Sequence, residues 1–116
     1  MGLTDWSESI VIVALGDEPA FSDDMSMLLS RLNHDARTEL HDVPDVVLDF
    51  RGVTYLNSSN LAQLLRLRKK LAQYDRRLRL CSVSDPVWSV MLTTGLDGIF
   101  TFTEDVSTSL ASLQMR

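Results

Sequence analysis

The sequence is poor in the residues that build metal centres and redox sites, with one cysteine and two histidines among 116 residues. Cys81 has no partner for an internal disulfide, so we expect a buried thiol in a reducing compartment. The cysteine and the histidines give no zinc-ligand pattern, and the five glycines form neither a Walker-type loop nor a dinucleotide fingerprint. We therefore expect no metal, no cofactor and a cytoplasmic location.

Long hydrophobic runs are also missing. No apolar stretch approaches the roughly 20 residues that a membrane-spanning helix needs. The first ten residues, MGLTDWSESI, carry acids rather than a basic region followed by an apolar segment. We therefore expect neither membrane insertion nor secretion, and we interpret residues 1–116 as one domain with its own core.

Charge is unevenly distributed, with a net of -9 over residues 1–50 and +4 over residues 51–116. Seven bases crowd together in the second half of the chain: Arg66, Arg68, Lys69, Lys70, Arg76, Arg77 and Arg79. A nucleic-acid surface is one reading, but the pI is about 4.8 and Tyr74 is the one aromatic residue within the run. A solvated helix face is the better interpretation, with no nucleic-acid partner.

Strand and helix patterns alternate along the chain. Alternating or continuous apolar residues predict strands over 7–15, 45–50, 78–83 and 99–102. Spacings of three and four predict a helix capped by Ser22 and fading near Leu40, and another over about 60–74. A third runs from a cap at Asp85 to Gly95, and the last begins at Thr103 or Glu104. This order is typical of an α/β fold with a parallel sheet.

The stretch VVLDFRGVTYLNSSNLAQLL, residues 46–65, is the most informative one. An apolar strand runs to Phe50, Arg51 and Gly52 turn the chain, and a leucine-faced helix begins near Asn60. Helix capping accounts for Asn57 or for one serine. It does not readily account for four consecutive small polar residues, Asn57 to Asn60, between a hydrophobic strand and a hydrophobic helix.

This block resembles the signature of the STAS domain, the fold of bacterial anti-sigma factor antagonists. The family pattern is an apolar strand closed by Asp, a short apolar turn, Asp-Ser-Ser or Asp-Ser-Thr, Gly, and a leucine-rich helix. The matching positions here are Asp49, Val53, Leu56, Asn57, Ser58, Ser59, Asn60 and Leu61. The likeness continues in the strand 78–83 and in the run TTGLDGIFTF at 93–102.

The resemblance implies a single STAS-type domain: a central mixed, mainly parallel sheet of four to five strands with about four helices and an antiparallel N-terminal edge. It also implies an anti-sigma factor antagonist that acts by partner switching. Unmodified protein binds an anti-sigma factor that is also a serine kinase, and phosphorylation releases it. A serine phosphatase resets the switch.

By the same resemblance Ser58 is the phosphate acceptor and Ser59 the neighbouring hydroxyl, while Asn57, Ser58, Ser59 and Asn60 form the partner-binding motif. Two residues depart from the pattern. Asn57 lacks the charge of the family Asp, and Asn60 adds bulk where the family has Gly. The alternative function is a STAS interaction module in another assembly, a stressosome-like scaffold or a transport-associated regulator, without a phospho-switch.

Catalysis is not expected. A hydrolase needs a positioned base beside its nucleophile. The two histidines, His34 and His41, are seven residues apart in or just after the first predicted helix, far in sequence from Ser58. We interpret them as solvent-exposed helix residues rather than catalytic or metal-binding groups.

Overall fold

In the computed structural model of the protein, which describes residues 2–38 and 43–115, strands and helices alternate as the sequence predicts. The strands are β1 Leu3–Asp5, β2 Ile10–Gly16, β3 Asp45–Gly52, β4 Leu78–Cys81 and β5 Phe102–Thr103. The helices are α1 Ala20–Arg37, α2 Ser58–Gln73, α3 Asp85–Thr94 and α4 Val106–Gln114, and a short 3₁₀ turn occupies Leu96–Gly98. No helix in the described ranges is long and apolar enough to cross a membrane.

The five strands form one sheet in the order β1-β2-β3-β4-β5. The β1 strand pairs antiparallel with β2, and the other three pairs are parallel. This confirms the predicted mixed, mainly parallel sheet with an antiparallel N-terminal edge. The carboxyl ends of β2 to β5 therefore meet at one edge, and the loops that follow them lie together.

Helices cover the two faces of the sheet unequally. On the larger face, α1 and α2 bury apolar stripes that include Leu28, Leu32, Leu64 and Leu67 against β2, β3 and β4. On the other face a smaller cluster joins Leu113 of α4 to three residues of the sheet, Ile10, Val47 and Cys81. Cys81 is a free, fully buried thiol, as predicted.

The predicted start of α1 is wrong. Ser22 is not its cap, because the helix already begins at Ala20 and Pro19 stands in the cap position without a side-chain hydrogen bond. The Ser22 side chain has another partner, described below. The helix is described to Arg37, and the predicted end near Leu40 and the residue His41 lie outside the described residues.

Other boundaries are shifted for local reasons. The β3 strand continues through Arg51 and Gly52, where the sequence predicts a turn. Gly52 is needed there because a Cβ would stand 2.8 Å from the carbonyl oxygen of Leu15 on the neighbouring strand. The cap position of α3 is Ser84 rather than Asp85, and α3 ends as predicted at Gly95, whose φ of 76° lies in the left-handed region.

The C-terminal third differs most from prediction. Residues 96–98 form the 3₁₀ turn, so the predicted strand over 99–102 is only Phe102–Thr103. Neither Thr103 nor Glu104 opens the last helix. Its cap is Asp105, whose carboxylate accepts the backbone N–H of Thr108 at 2.8 Å. This hydrogen bond also lowers the pKa of Asp105.

The basic run is only partly the solvated face that the sequence predicts. Arg66 and Lys69 are exposed on α2, but Arg76 and Arg77 pair with Asp45, a carboxylate that is only 4% exposed. Asp45 also accepts the backbone N–H of Arg77 at 2.7 Å. The pair joins the start of β3 to the turn before β4, so part of the run is structural.

Candidate functional site

The loop between β3 and α2 lies at the carboxyl edge of the parallel strands. Val53 and Leu56 are buried in the large core, which fixes both ends of the loop. Tyr55, between them, is 50% exposed. The loop therefore presents one aromatic side chain to solvent directly before the polar motif.

The two asparagines of the motif form a capping box. The Asn57 side chain accepts the backbone N–H of Asn60 at 2.8 Å, and the Asn60 side chain accepts the backbone N–H of Asn57 at 3.1 Å. Reciprocal bonds of this kind satisfy two N–H groups that a helix start leaves unpaired. Asn60 is only 1% exposed, so the expected bulk at the family Gly position points into the protein rather than towards a partner.

Capping thus accounts for the asparagines and leaves the two serines unused. Ser58 and Ser59 are the first two residues of α2, and both are exposed. Within the described residues, neither hydroxyl has a protein hydrogen-bond partner, and neither backbone N–H has a protein acceptor. The first turn of α2 carries no acidic residue, so nothing there neutralises the positive end of the helix dipole.

A chain of side-chain hydrogen bonds ties the motif to the start of α1. Asn60 Nδ2 donates to Gln63 Oε1 at 3.4 Å, and Gln63 Nε2 donates to Ser22 Oγ at 3.1 Å. Ser22 then donates its hydroxyl to Glu18 Oε2 at 2.5 Å and its backbone N–H to Glu18 Oε1 at 2.7 Å. These last two bonds lower the pKa of Glu18.

A second link joins the loop before α2 to the loop before α1. Thr54 donates its hydroxyl to Asp17 Oδ2 at 2.6 Å and its backbone N–H to Asp17 Oδ1 at 2.8 Å. The pKa of Asp17 is lowered, first by the hydroxyl bond and then by the backbone bond. Two links therefore hold this region together: one joins the loops before α1 and α2, and the other joins the first turns of the two helices.

Asp49 lies apart from the serines. It is on the face of β3 that carries Val47 and looks towards α4, whereas α2 packs on the opposite face. Its carboxylate accepts the backbone N–H of Arg51 at 3.0 Å, and β3 runs three residues beyond it, so Asp49 does not close the strand. No hydrogen bond among the described residues joins Asp49 to residues 57–60.

The histidines lie away from the motif as far as the structure describes them. His34 is exposed in the last turn of α1, at the other end of that helix from Ser22. Across residues 2–38 and 43–115, no group of three or more His, Cys, Asp or Glu side chains is arranged to hold a metal ion.

Sequence reasoning missed the residues that brace the motif. Thr54 and Asp17 are 37 positions apart, and Gln63 and Ser22 are 41 apart, so no local pattern connects them. The capping box could be predicted from the sequence, because Asn57 and Asn60 have the required spacing of three, with the shorter Asn in place of the usual Glu or Gln at the third helical position.

Comparison with known proteins gives one family match. The family model described as STAS domain matches residues 7–109, which covers all described elements except β1 and the end of α4. No curated protein sequence matches this chain.

Solved structures match over nearly the whole chain. The anti-sigma-factor antagonist (STAS) domain protein from Planctomyces limnophilus is 18% identical, with a TM-score of 0.79 over 97% of each chain. Unphosphorylated SpoIIAA, an anti-sigma factor antagonist, is 15% identical with a TM-score of 0.76 over 98% of this chain and 96% of its own. Phosphorylated SpoIIAA from Bacillus is 15% identical with a TM-score of 0.72 over 97% of each chain. At these identities the likeness is one of fold.

Proposed function

Because the chain belongs to the STAS domain family, we propose that it is an anti-sigma factor antagonist that acts by partner switching. The unmodified protein binds an anti-sigma factor that is also a serine kinase, and phosphate on Ser58 ends that binding. A serine phosphatase restores the unmodified form, and all three proteins meet in the cytoplasm. The chain itself catalyses nothing in this scheme.

One observation carries the proposal: Ser58 is the exposed first residue of α2, and its hydroxyl makes no hydrogen bond to any residue that the structure describes. Capping is done by Asn57 and Asn60, so modification of Ser58 removes no hydrogen bond that the fold uses. The unpaired N–H groups of Ser58 and Ser59 and the positive end of the helix dipole favour an anion at this point. Phosphate is compatible with the fold for the same reasons.

The partner, in contrast, meets a changed surface. A phosphate adds about -1.5 to -2 charges at neutral pH and three oxygen acceptors. It does so three residues after Tyr55, whose half-exposed ring supplies apolar contact area in the same loop. The partner-binding motif in this scheme consists of Asn57 to Asn60, with Ser58 and Ser59 forming its exposed part and the asparagines holding its shape.

Asn57 changes the charge of the site rather than its geometry. It caps α2 as Asp would, since both side chains accept the same backbone N–H, but it leaves no carboxylate next to the acceptor. A kinase that serves this protein recognises the serine without that neighbouring charge. Asn57→Asp should therefore preserve the fold and shift phosphorylation towards kinases that require an acid there.

The direct test is mass spectrometry after incubation with the cognate anti-sigma kinase and ATP. We expect one phosphate, on Ser58, and none on Ser58→Ala, while Ser59→Ala is modified like the wild type. Phosphate on another residue, or none at all, would contradict the assignment.

Binding supplies the second test. Ser58→Glu should bind the anti-sigma factor at least about tenfold more weakly than Ser58→Gln, which has the same size without the charge. Both variants should keep the melting temperature within a few degrees. Equal affinity of the two would favour the other reading, a STAS interaction module without a phospho-switch.

A further inference from the structure

The solvent-facing side of α3 is apolar and carries almost no charge. Asp85, the first residue of the helix, is its one charged side chain. Further along, Trp88 is 37% exposed and Leu92 is 52% exposed. Their spacing of four places the two side chains on one stripe of the helix. The α2 helix, in contrast, turns Arg66 and Lys69 to solvent.

The stripe on α3 continues to the edge of the sheet. The ring of Trp88 packs edge-on against the ring of Phe102 on β5, with 5.0 Å between the centroids. Phe102 is itself only partly buried, and β5 is the last strand of the sheet. We call this surface the α3 patch: Trp88, Leu92 and Phe102. Exposed aromatic and apolar side chains without charges among them are typical of the central part of a protein interface.

The α3 patch lies next to the loop that leads to the serine motif. Ser84, at the cap position of α3, donates its hydroxyl to the carbonyl of Val53 at 3.5 Å. The backbone N–H of Trp88 donates to the carbonyl of Ser84 at 2.8 Å. These bonds place Trp88 one helical turn from the loop that also carries Tyr55. Since α2 and α3 both follow parallel strands and pack into the same large core, their first turns are open to one partner.

The serine motif is too small to hold a partner by itself. A stable complex buries about 800 Å² on each side, contributed by roughly 20–30 residues. The motif has four small residues, of which Asn60 is buried, and Tyr55 is the one large exposed side chain in the loop before it. On the α1 side the exposed residues of the first turn include Ala20 and Asp23, which offer little apolar area. The apolar area that adjoins the loop is therefore on α3.

We propose that the anti-sigma factor covers the α3 patch with apolar side chains of its own. This inference rests on the proposed function, because it extends the interface with that same partner from the serine motif along α3. Tyr55 and Trp88 are then two aromatic anchors, the type of residue that contributes most to binding energy in protein interfaces. Phosphate on Ser58 changes one end of the contact, while Trp88 supplies affinity at the other.

A pair of tryptophan variants tests the surface. Trp88→Ala should weaken binding of the unmodified full chain to the cognate anti-sigma factor at least about tenfold, the effect of losing an aromatic anchor. Trp6→Ala is the matched control, because Trp6 is 44% exposed and follows β1 at the opposite edge of the sheet. Its affinity should stay within about twofold of wild type, as for a residue outside the interface.

A second variant separates binding from folding, since Trp88→Ala also removes the ring contact with Phe102. Leu92 is more than half exposed, so Leu92→Gln should leave the melting temperature within a few degrees of wild type. It should weaken binding at least about threefold, because the partner loses apolar area to cover.

Fluorescence reports the contact directly, since the chain has two tryptophans. In Trp6→Phe the emission comes from Trp88, and it should shift to the blue when the anti-sigma factor is added, because the ring leaves water. In Trp88→Phe the emission comes from Trp6 and should not shift. The difference between the two titrations also removes the signal of any tryptophan in the partner.

The outcomes separate this proposal from the phospho-switch. Wild-type affinity in both Trp88→Ala and Leu92→Gln would overturn it, and the switch would stand if Ser58→Glu still lost binding. Weak binding by Trp88→Ala, with equal binding by Ser58→Glu and Ser58→Gln, would support the α3 patch and contradict the switch. A dimer in sedimentation that Trp88→Ala converts to a monomer would assign the α3 patch to a second copy of the chain and overturn the proposal.

Discussion

Replacing Asn60 by glycine tests whether this position serves the fold or the partner. The change removes the acceptor for the backbone N–H of Asn57, a bond of 3.1 Å, and the donor to Gln63. Loss of one net hydrogen bond costs about 0.5–1.5 kcal/mol. Glycine inside a helix costs about 0.5–1 kcal/mol more. Unfolding free energy should therefore fall by about 1–2.5 kcal/mol, or roughly 4–10 °C in melting temperature for a chain of this size.

The matched control is Ser59→Gly, which introduces the same backbone freedom one residue earlier, at an exposed side chain without a hydrogen bond to any described residue. It should lose only the glycine contribution, about 0.5–1 kcal/mol. Asn60→Asp keeps the acceptor and should lose less than Asn60→Gly. Urea or thermal unfolding measures all three. Equal losses for Asn60→Gly and Ser59→Gly would refute the capping box as a source of stability.

Three further outcomes follow from the same region and the core. Ser58→Glu should melt about 1–3 °C above Ser58→Gln at low salt, because a carboxylate near a helix N-terminus contributes about 0.3–1 kcal/mol; a lower melting temperature would contradict this. The pKa of Asp17 is lowered by Thr54, so their contact is complete above the ordinary aspartate range and is lost as pH falls through the lowered value. Protection of the Thr54 amide from hydrogen exchange should drop in acid, and Asp17→Ala should show that loss at neutral pH, whereas an unchanged amide would disprove the link. Cys81 is fully buried with a raised pKa, so a thiol reagent should modify it only as fast as the protein opens; reaction with the whole native population at mixing would contradict its placement.

Local patterns in the sequence predict most of the order of strands and helices, because the spacing of apolar residues that distinguishes a strand from a helix is visible within a short segment. The leucine spacing after Asn60 places the inner face of α2, and Gly95 ends α3 where predicted. The same reasoning misplaces the start of α1. Ser22 looks like a cap from its neighbours, but its hydroxyl bonds to Glu18 and accepts from Gln63 on another helix.

The candidate site also has one part that the sequence predicts and one part that it does not. Its exposed serines and its capping asparagines occupy four consecutive positions, so the motif is visible in the sequence. The two links that hold the loop before α2 and the first turns of α2 join residues 37 and 41 positions apart, and only the fold brings them together. Asp49 belongs to the sequence motif, but the fold separates it from the serines. Side chains alternate along β3, and this alternation places Asp49 on the face that α4 covers, opposite to α2.

The order of the strands has a consequence for how the chain is made. Each strand of the sheet pairs with the strand synthesised just before it, so none has to insert between two that are already in place. The sheet can therefore grow at one edge as the chain leaves the ribosome, with each new strand docking beside its predecessor. The last described element, α4, packs on Ile10, Val47 and Cys81, which stay open to water until α4 has been made. A nascent chain arrested before Val106 would carry the sheet with one apolar face exposed to water, the kind of surface that makes a folding intermediate prone to aggregation.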